Sequence, residues 1–275
     1  MRGTLLALVL LIPLTLQAQD DGTVSASNDG PLFMKDALGE HAFFAPWGVG
    51  IDLFVMQQDY DIADLQFVLP GISEIDSSLI DVTNDVQNYN LRGDVWLTPF
   101  LQVFGLVGYI DADTSVDLSQ LSLDILGVPL PGFGVSYDGT VYGAGFNLLY
   151  GTERWFATLN NTWTDTSLNG DFDSSVKSYT AQPRLGIIHS GWTYWVGGMY
   201  IDVDEEHSGS IELPIPDPTR PGSNVNVPFQ IQMESSEKWN YAVGVGKVFS
   251  PRATMFLEIG FGDRTHTLAN FTYRF

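Results

Sequence analysis

Four carboxylates crowd into five residues at Asp202-x-Asp204-Glu-Glu206. Hard divalent cations take oxygen ligands of this kind, so Asp202, Asp204 and Glu206 are the candidate metal ligands. The run lacks the glycine and the spacing of an EF-hand loop, and a solvated acidic surface is the competing reading. Histidine occurs at His41, His189, His207 and His266, and cysteine is absent. His189-Ser190 precedes a glycine and reads as a turn. No phosphate loop, Cys/His metal set or dinucleotide fingerprint is present. The expectation is therefore no catalytic residue and no cofactor, beyond a divalent cation at acidic loops.

The overall charge narrows the field further. Acids number 33 against 12 bases, a net charge of −21 that repels nucleic acid. Aromatic residues make up 13% and charged residues only 16%, the reverse of a disordered composition. Residues 1–18 have a basic start, an apolar stretch over Leu5–Ile12 and a small residue at Ala18, the layout of a secretory signal peptide. The apolar stretch is too short to span a bilayer, and no later run reaches the length of a membrane helix.

What positions any site is a set of alternating segments. In Tyr89–Leu97 the odd positions are mostly apolar, while the even ones hold Asn90, Arg92, Asp94 and Trp96. Period-two alternation of this kind marks strands with two different faces. It predicts ten strands, at 47–58, 87–97, 101–112, 137–150, 154–165, 176–189, 192–204, 228–249, 253–262 and 266–275. The turns near 98, 152, 190 and 251 are short. The connections 59–86, 113–136, 166–175 and 205–227 are long. Aromatic residues collect at the short-turn ends, at Trp47, Phe100, Trp155, Trp192 and Phe249. A soluble sandwich also alternates, but rarely sets this many aromatics on one face with Asn, Thr, Gly and Gln on the other.

The sequence ends Asn270-Phe-Thr-Tyr-Arg-Phe275. Aromatics at Phe271, Tyr273 and Phe275 resemble the closing strand of bacterial outer-membrane β-barrels. That resemblance implies an all-β, antiparallel up-and-down transmembrane barrel in the outer membrane of a Gram-negative bacterium. It also implies that these three residues are read by the barrel-assembly machinery. The strand count exceeds that of the OmpA-type and OmpW-type barrels and falls short of the general porins. The division expected is a signal peptide at 1–18, a periplasmic segment at 19–46 forming a short helix or plug, and a barrel at 47–275. Pro31–Gly39 has the proline and glycine of a short helix. Phe33, Met34, Phe43 and Phe44 want burial.

With this topology most acids fall in the long outer connections. Parity turns Asp52, Arg92, Asp94, Arg184 and Glu258 inward. Inside a barrel such charges are paired or wet. They read either as an ion-pair network that fills the lumen or as a polar track for a solute. Three apolar stretches lie among the outer acids: Val68–Ile72 with Leu69 and Pro70, Val128–Phe133 with Leu130, Pro131 and Phe133, and Leu213–Pro216. They are expected at hairpin tips, packed as a cap or open as a vestibule for small apolar solutes.

Ten strands are also the count of the omptin proteases, which activate water with an Asp pair and an Asp-His pair at the rim. The matching positions here are Asp59-x-Asp61 or Asp111-x-Asp113, and Glu205-x-His207, where Glu stands in place of Asp. The expected function is a narrow channel or binding barrel for small solutes. A surface-interaction barrel without transport is the alternative, and an omptin-like protease the remote one. The expected surroundings are outer-membrane lipid and lipopolysaccharide, around a monomer.

Overall fold

The computed structural model describes residues 30–38, 44–67, 80–117, 133–169, 173–216, 224–235 and 237–275. Eleven strands follow a 3-10 helix at Lys35–Leu38: β1 Trp47–Phe67, β2 Asp81–Thr98, β3 Leu101–Asp117, β4 Phe133–Gly151, β5 Trp155–Asn169, β6 Asp173–His189, β7 Trp192–Pro216, β8 Asn224–Ser235, β9 Trp239–Ser250, β10 Ala253–Phe261 and β11 Thr265–Arg274. Strands β1 to β7, then β9, β10 and β11, form a closed antiparallel barrel of ten, with β11 pairing back onto β1.

The turn-side ends are built from local chemistry. Ser190 and Gly191 both have positive φ, 50° and 72°, as a two-residue type I′ hairpin requires. The Thr152 hydroxyl accepts from the N–H groups of Arg154 and Trp155, and the Ser250 hydroxyl from those of Arg252 and Ala253. These side-chain bonds replace part of the ladder that the reversing chain gives up.

The exterior is apolar. Val49, Ile51, Leu91, Leu185, Val196 and Ile259 all point outward and are exposed. Aromatics bound this band on both sides at a spacing of eight residues: Tyr142 and Tyr150, Trp155 and Trp163, Trp192 and Tyr200, Tyr241 and Phe249. Eight residues cover about 26 Å along a strand, or about 20 Å of height at a 40° tilt, close to the lipid-facing band of an outer-membrane barrel. The outer belt is continuous from Trp163 to Tyr179, Tyr200 and Trp239, with ring centroids 5.2, 6.1 and 5.4 Å apart. Phe271, Tyr273 and Phe275 face outward, where the alternation puts them.

Several strands run further than the pattern predicts. β1 reaches Phe67, β2 begins at Asp81, β3 reaches Asp117 and β7 reaches Pro216. Much of what reads as acidic loop is strand that continues beyond the outer belt. Leu213–Pro216, expected at a hairpin tip, is the paired end of β7, with Leu213 opposite Val225 and a register shift before Pro216. Of the other tips, Phe133 opens β4 opposite Val116. Leu69, Pro70, Leu130 and Pro131 lie outside the described residues, as do the predicted signal peptide and Phe43.

The predicted strand 228–249 is two strands. β8 pairs with the outer part of β7 and with β1, where Tyr60 faces Ser235. β9 pairs with the inner part of β7, where Tyr200 faces Trp239. The hairpin of β10 and β11 stands beneath β8, so the barrel has ten strands in the membrane band and eight beyond it. At the step, Arg264 from the hairpin tip is 1% exposed. Its guanidinium donates to the Met199 carbonyl at 3.1 Å, the Glu237 carbonyl at 3.4 Å and Gln58 Oε1 at 3.5 Å.

The N-terminal segment is also partly corrected. The helix is one four-residue 3-10 turn, and Phe33 and Met34 are exposed rather than buried. Leu32 and Phe33 instead use their backbone N–H groups on the carbonyls of Trp96 and Leu97, while Pro31 and Ala45 are buried.

Arg264→Ala removes three hydrogen bonds and leaves a void at the step, an expected loss of about 2–4 kcal/mol. Heat-dependent gel mobility of the refolded barrel checks this. Arg264→Lys is expected to recover only part of the loss, since it lacks the guanidinium fork.

Candidate functional site: the barrel lumen

Inward positions along the strands enclose a cavity of about 750 Å³. Its lining is mixed. Thr158, Asn160, Thr162 and Thr164 on β5, with Ser178 and Thr180 on β6, supply hydroxyl and amide groups. Phe54 and Met56 on β1, Phe104 and Ile110 on β3, and Met199 and Ile201 on β7 supply apolar ones. Met56, Val86, Ala112, Met199, Ile201 and Val203 pack into one buried cluster toward the outer side. Space for the largest inward groups comes from glycine opposite them. A Cβ on Gly244 would lie 2.2 Å from the Trp195 ring, and one on Gly260 only 1.9 Å from the His266 ring.

At the outer side Tyr137 reaches from β4 to Glu205 on β7, donating its hydroxyl hydrogen to Oε1 at 3.0 Å. The same hydroxyl accepts from Asn84 on β2 at 3.1 Å and from Thr114 on β3 at 3.3 Å. One phenol thus ties four strands together across the lumen.

The five inward charges predicted from parity all lie inside, in two groups. In the first, Asp94 accepts from Arg274 at 2.8 Å and from Gln102 at 2.7 Å, and Asp52 accepts from the Asn270 amide at 2.6 Å. Arg92 lies 3.9 Å from each carboxylate and donates to the Thr272 hydroxyl at 3.2 Å. Arg274 sits between the rings of Phe44 and Trp96, 5.8 Å from each centroid, and donates to the Ala45 carbonyl. In the second group, Arg184 holds Glu258 with two donors at 2.6 and 2.9 Å. Trp195 Nε1 donates to the same carboxylate at 2.6 Å, and His266 lies 3.8 Å away.

The dense acidic run divides by strand parity. Asp202 and Asp204 point outward on β7, and Asp202 pairs with Lys238 at 2.6 Å. Glu205 points inward and is 1% exposed. Among the described residues no three His, Cys, Asp or Glu side chains gather as metal ligands would. The side chain of Glu206 is outside the described set. Asp59, Asp111 and Asp113 face outward too, whereas Glu205 faces inward; the side chains of Asp61 and His207 are outside the described set.

Arg274, Tyr137 and His266 were not assigned to the lumen from the sequence, and Glu205 was considered only as part of an acidic rim. Arg274 and His266 were visible to the parity rule, since they alternate with Phe271, Tyr273 and Phe275, and Tyr137 likewise alternates with Tyr142. What gave no signal was their partners, such as Glu205 for Tyr137 and Asn240 for His266.

The chain is thus a closed ten-stranded antiparallel barrel of the outer-membrane type, with an apolar exterior and a partly filled lumen. No protein-family model and no curated protein matches the sequence. Solved structures similar in fold include an outer membrane channel from Pseudomonas putida F1, at 13% identity over 84% of this chain and 96% of that one, with a TM-score of 0.38. The transport unit of the autotransporter AIDA-I from Escherichia coli shares 12% identity over 89% of this chain and 94% of that one, with a TM-score of 0.42. The Ralstonia pickettii toluene transporter TbuX shares 10% over 84% and 90%, with a TM-score of 0.27. At these identities the likeness concerns fold alone.

Glu258→Ala strands Arg184 inside the barrel and is expected to cost about 3–5 kcal/mol of stability. The double variant Arg184→Met, Glu258→Leu is expected to recover most of it, because removing both charges removes the desolvation cost. Urea unfolding in lipid vesicles reads both.

Proposed function

We propose that this protein is a monomeric barrel of the Gram-negative outer membrane that binds, and passes slowly, small solutes with an apolar body. The observation that carries this reading is the roughly 750 Å³ lumen cavity, lined by apolar side chains with hydroxyl and amide groups among them. Sites for small molecules fall in this size range, mostly apolar with a few placed polar groups. Eight-stranded barrels are filled by side chains, and sixteen-stranded ones hold open water. Here the charges are gathered into paired groups, so the lumen keeps space between them. The two readings of the inward charges then join: the network is structural, and it borders the solute space.

The alternative of a surface-interaction barrel has its own support. Outward aspartates face one another across strands, at Asp81 and Asp117, Asp85 and Asp113, and Asp111 and Asp138. Burial, then the facing Asp113, raises the Asp85 carboxyl above its ordinary range. Divalent cations bridging such carboxylates to lipopolysaccharide phosphates would relieve the repulsion.

The test is uptake of benzyl alcohol into proteoliposomes, with its binding followed by tryptophan fluorescence. Expected are saturable binding and uptake above empty vesicles, with little ionic conductance in planar bilayers. Met199→Trp, which fills the apolar layer, is expected to lower uptake several-fold. Deleting residues 19–46 is expected to raise conductance, because Phe44 lines the cavity. Absence of both binding and uptake overturns the reading in favour of the surface role.

A further inference from the structure

The charged side chains that reach the cavity surface are unbalanced. Arg92, Arg184 and Arg274 border it, against Asp52 and Glu205. The carboxylates that neutralise the arginines, Asp94 and Glu258, are recessed behind them, with side chains 0% and 1% exposed. A chain with a net charge of −21 therefore turns its cations toward its own cavity. The outer aspartates that account for much of that charge, Asp85, Asp113 and Asp165 among them, stand on the outside of the strands and are exposed.

These cations are not equally engaged. Arg184 is held by Glu258 at 2.6 Å and Arg274 by Asp94 at 2.8 Å. Arg92 has no ion pair closer than 3.9 Å, and its buried Nε has no hydrogen-bond partner among the described residues. Its guanidinium lies 5.5 Å from the centre of the Phe104 ring. On the same face of β2, the buried amide oxygens of Asn88 and Asn90 likewise have no partner among the described residues. Turned over, the Asn90 amide presents N–H donors beside Arg92.

We infer that Arg92, with Asn90, forms the polar end of a binding site for small carboxylates with an apolar body. The carboxylate meets the guanidinium fork, which suits a planar oxyanion. The body lies along Leu106, opposite Arg92 on β3, toward Ile110 and the Met199 layer. Asp52 opposes the anion; the neutral Asn270 amide orients its carboxylate without cancelling its charge. This inference rests on the reading of the lumen as a solute site and adds the class of solute.

The experiment compares benzoate with benzyl alcohol, nearly equal in size and differing in charge, by calorimetry on the full barrel in detergent micelles. Wild type is expected to bind benzoate at least about tenfold more tightly, the scale of charge-assisted hydrogen bonds at a partly buried site. Arg92→Gln is expected to abolish the preference and leave benzyl alcohol binding within about twofold, while Arg92→Lys retains part of the preference. Heat-dependent gel mobility confirms that each variant is folded; if Arg92→Gln does not fold, Asn90→Leu is read instead and is expected to lower the preference severalfold. Equal binding of the two probes by wild type overturns the inference and leaves the solute reading standing. So does a preference that survives in Arg92→Gln. Binding of neither probe overturns both.

Discussion

In lipid there is no water to take up a free backbone N–H or carbonyl, and each one left unpaired costs several kcal/mol. A sheet in that setting has to close on itself. Here β11 meets β1 along ten register pairs, from Gly48 opposite Arg274 to Gln57 opposite Thr265. Everything else in the fold follows from that closure. Alternation sends apolar groups to the lipid and polar groups inward, and the inward groups then need partners of their own.

Some of those partners are on neighbouring strands, as Asn270 is for Asp52 and Gln102 for Asp94. Others lie further round the barrel: Arg184 on β6 meets Glu258 on β10, and Tyr137 on β4 meets Glu205 on β7. Each of these longer contacts braces strands three places apart, so the cavity is framed by polar struts instead of being packed shut. The recessed carboxylates hold the arginines in place from behind. In the role proposed above, a solute would meet guanidinium donors already held in place by the folding of the barrel.

The alternation was enough to place the walls. It gave the ten strands of the membrane band, the outward Phe271, Tyr273 and Phe275, and the inward Asp52, Arg92, Asp94, Arg184 and Glu258. It could not place contacts between distant strands, which depend on barrel curvature and side-chain reach. The partners of Tyr137 and His266 were invisible for that reason, although parity puts both side chains inside. It also misjudged the outer segments. Acidic and Ser-rich residues read as loop because solvent-exposed strand and loop share a composition once both faces are wet. The step from β8 to β9 was hidden because Ile231, Met233, Trp239 and Tyr241 keep the same parity on both sides of it, so 228–249 looked continuous. Phe33 and Met34 misled in the opposite way, since hydrophobicity alone says nothing about which groups the backbone of the same segment must satisfy.

The buried Arg264 has a consequence for how the barrel finds its register. A strand slipped by one residue exchanges its two faces, and by two residues changes the shear of the whole barrel. The closing hairpin has no long loop to limit such sliding. Arg264 at its tip is an end-stop: pushed outward, the hairpin meets the chain at residues 237 and 238, and drawn inward, the guanidinium leaves the carbonyls of Met199 and Glu237. Together with the ten register pairs to β1, this side chain favours a single alignment for the last two strands, and with it the parity of the inward residues they carry, Glu258 and His266 included.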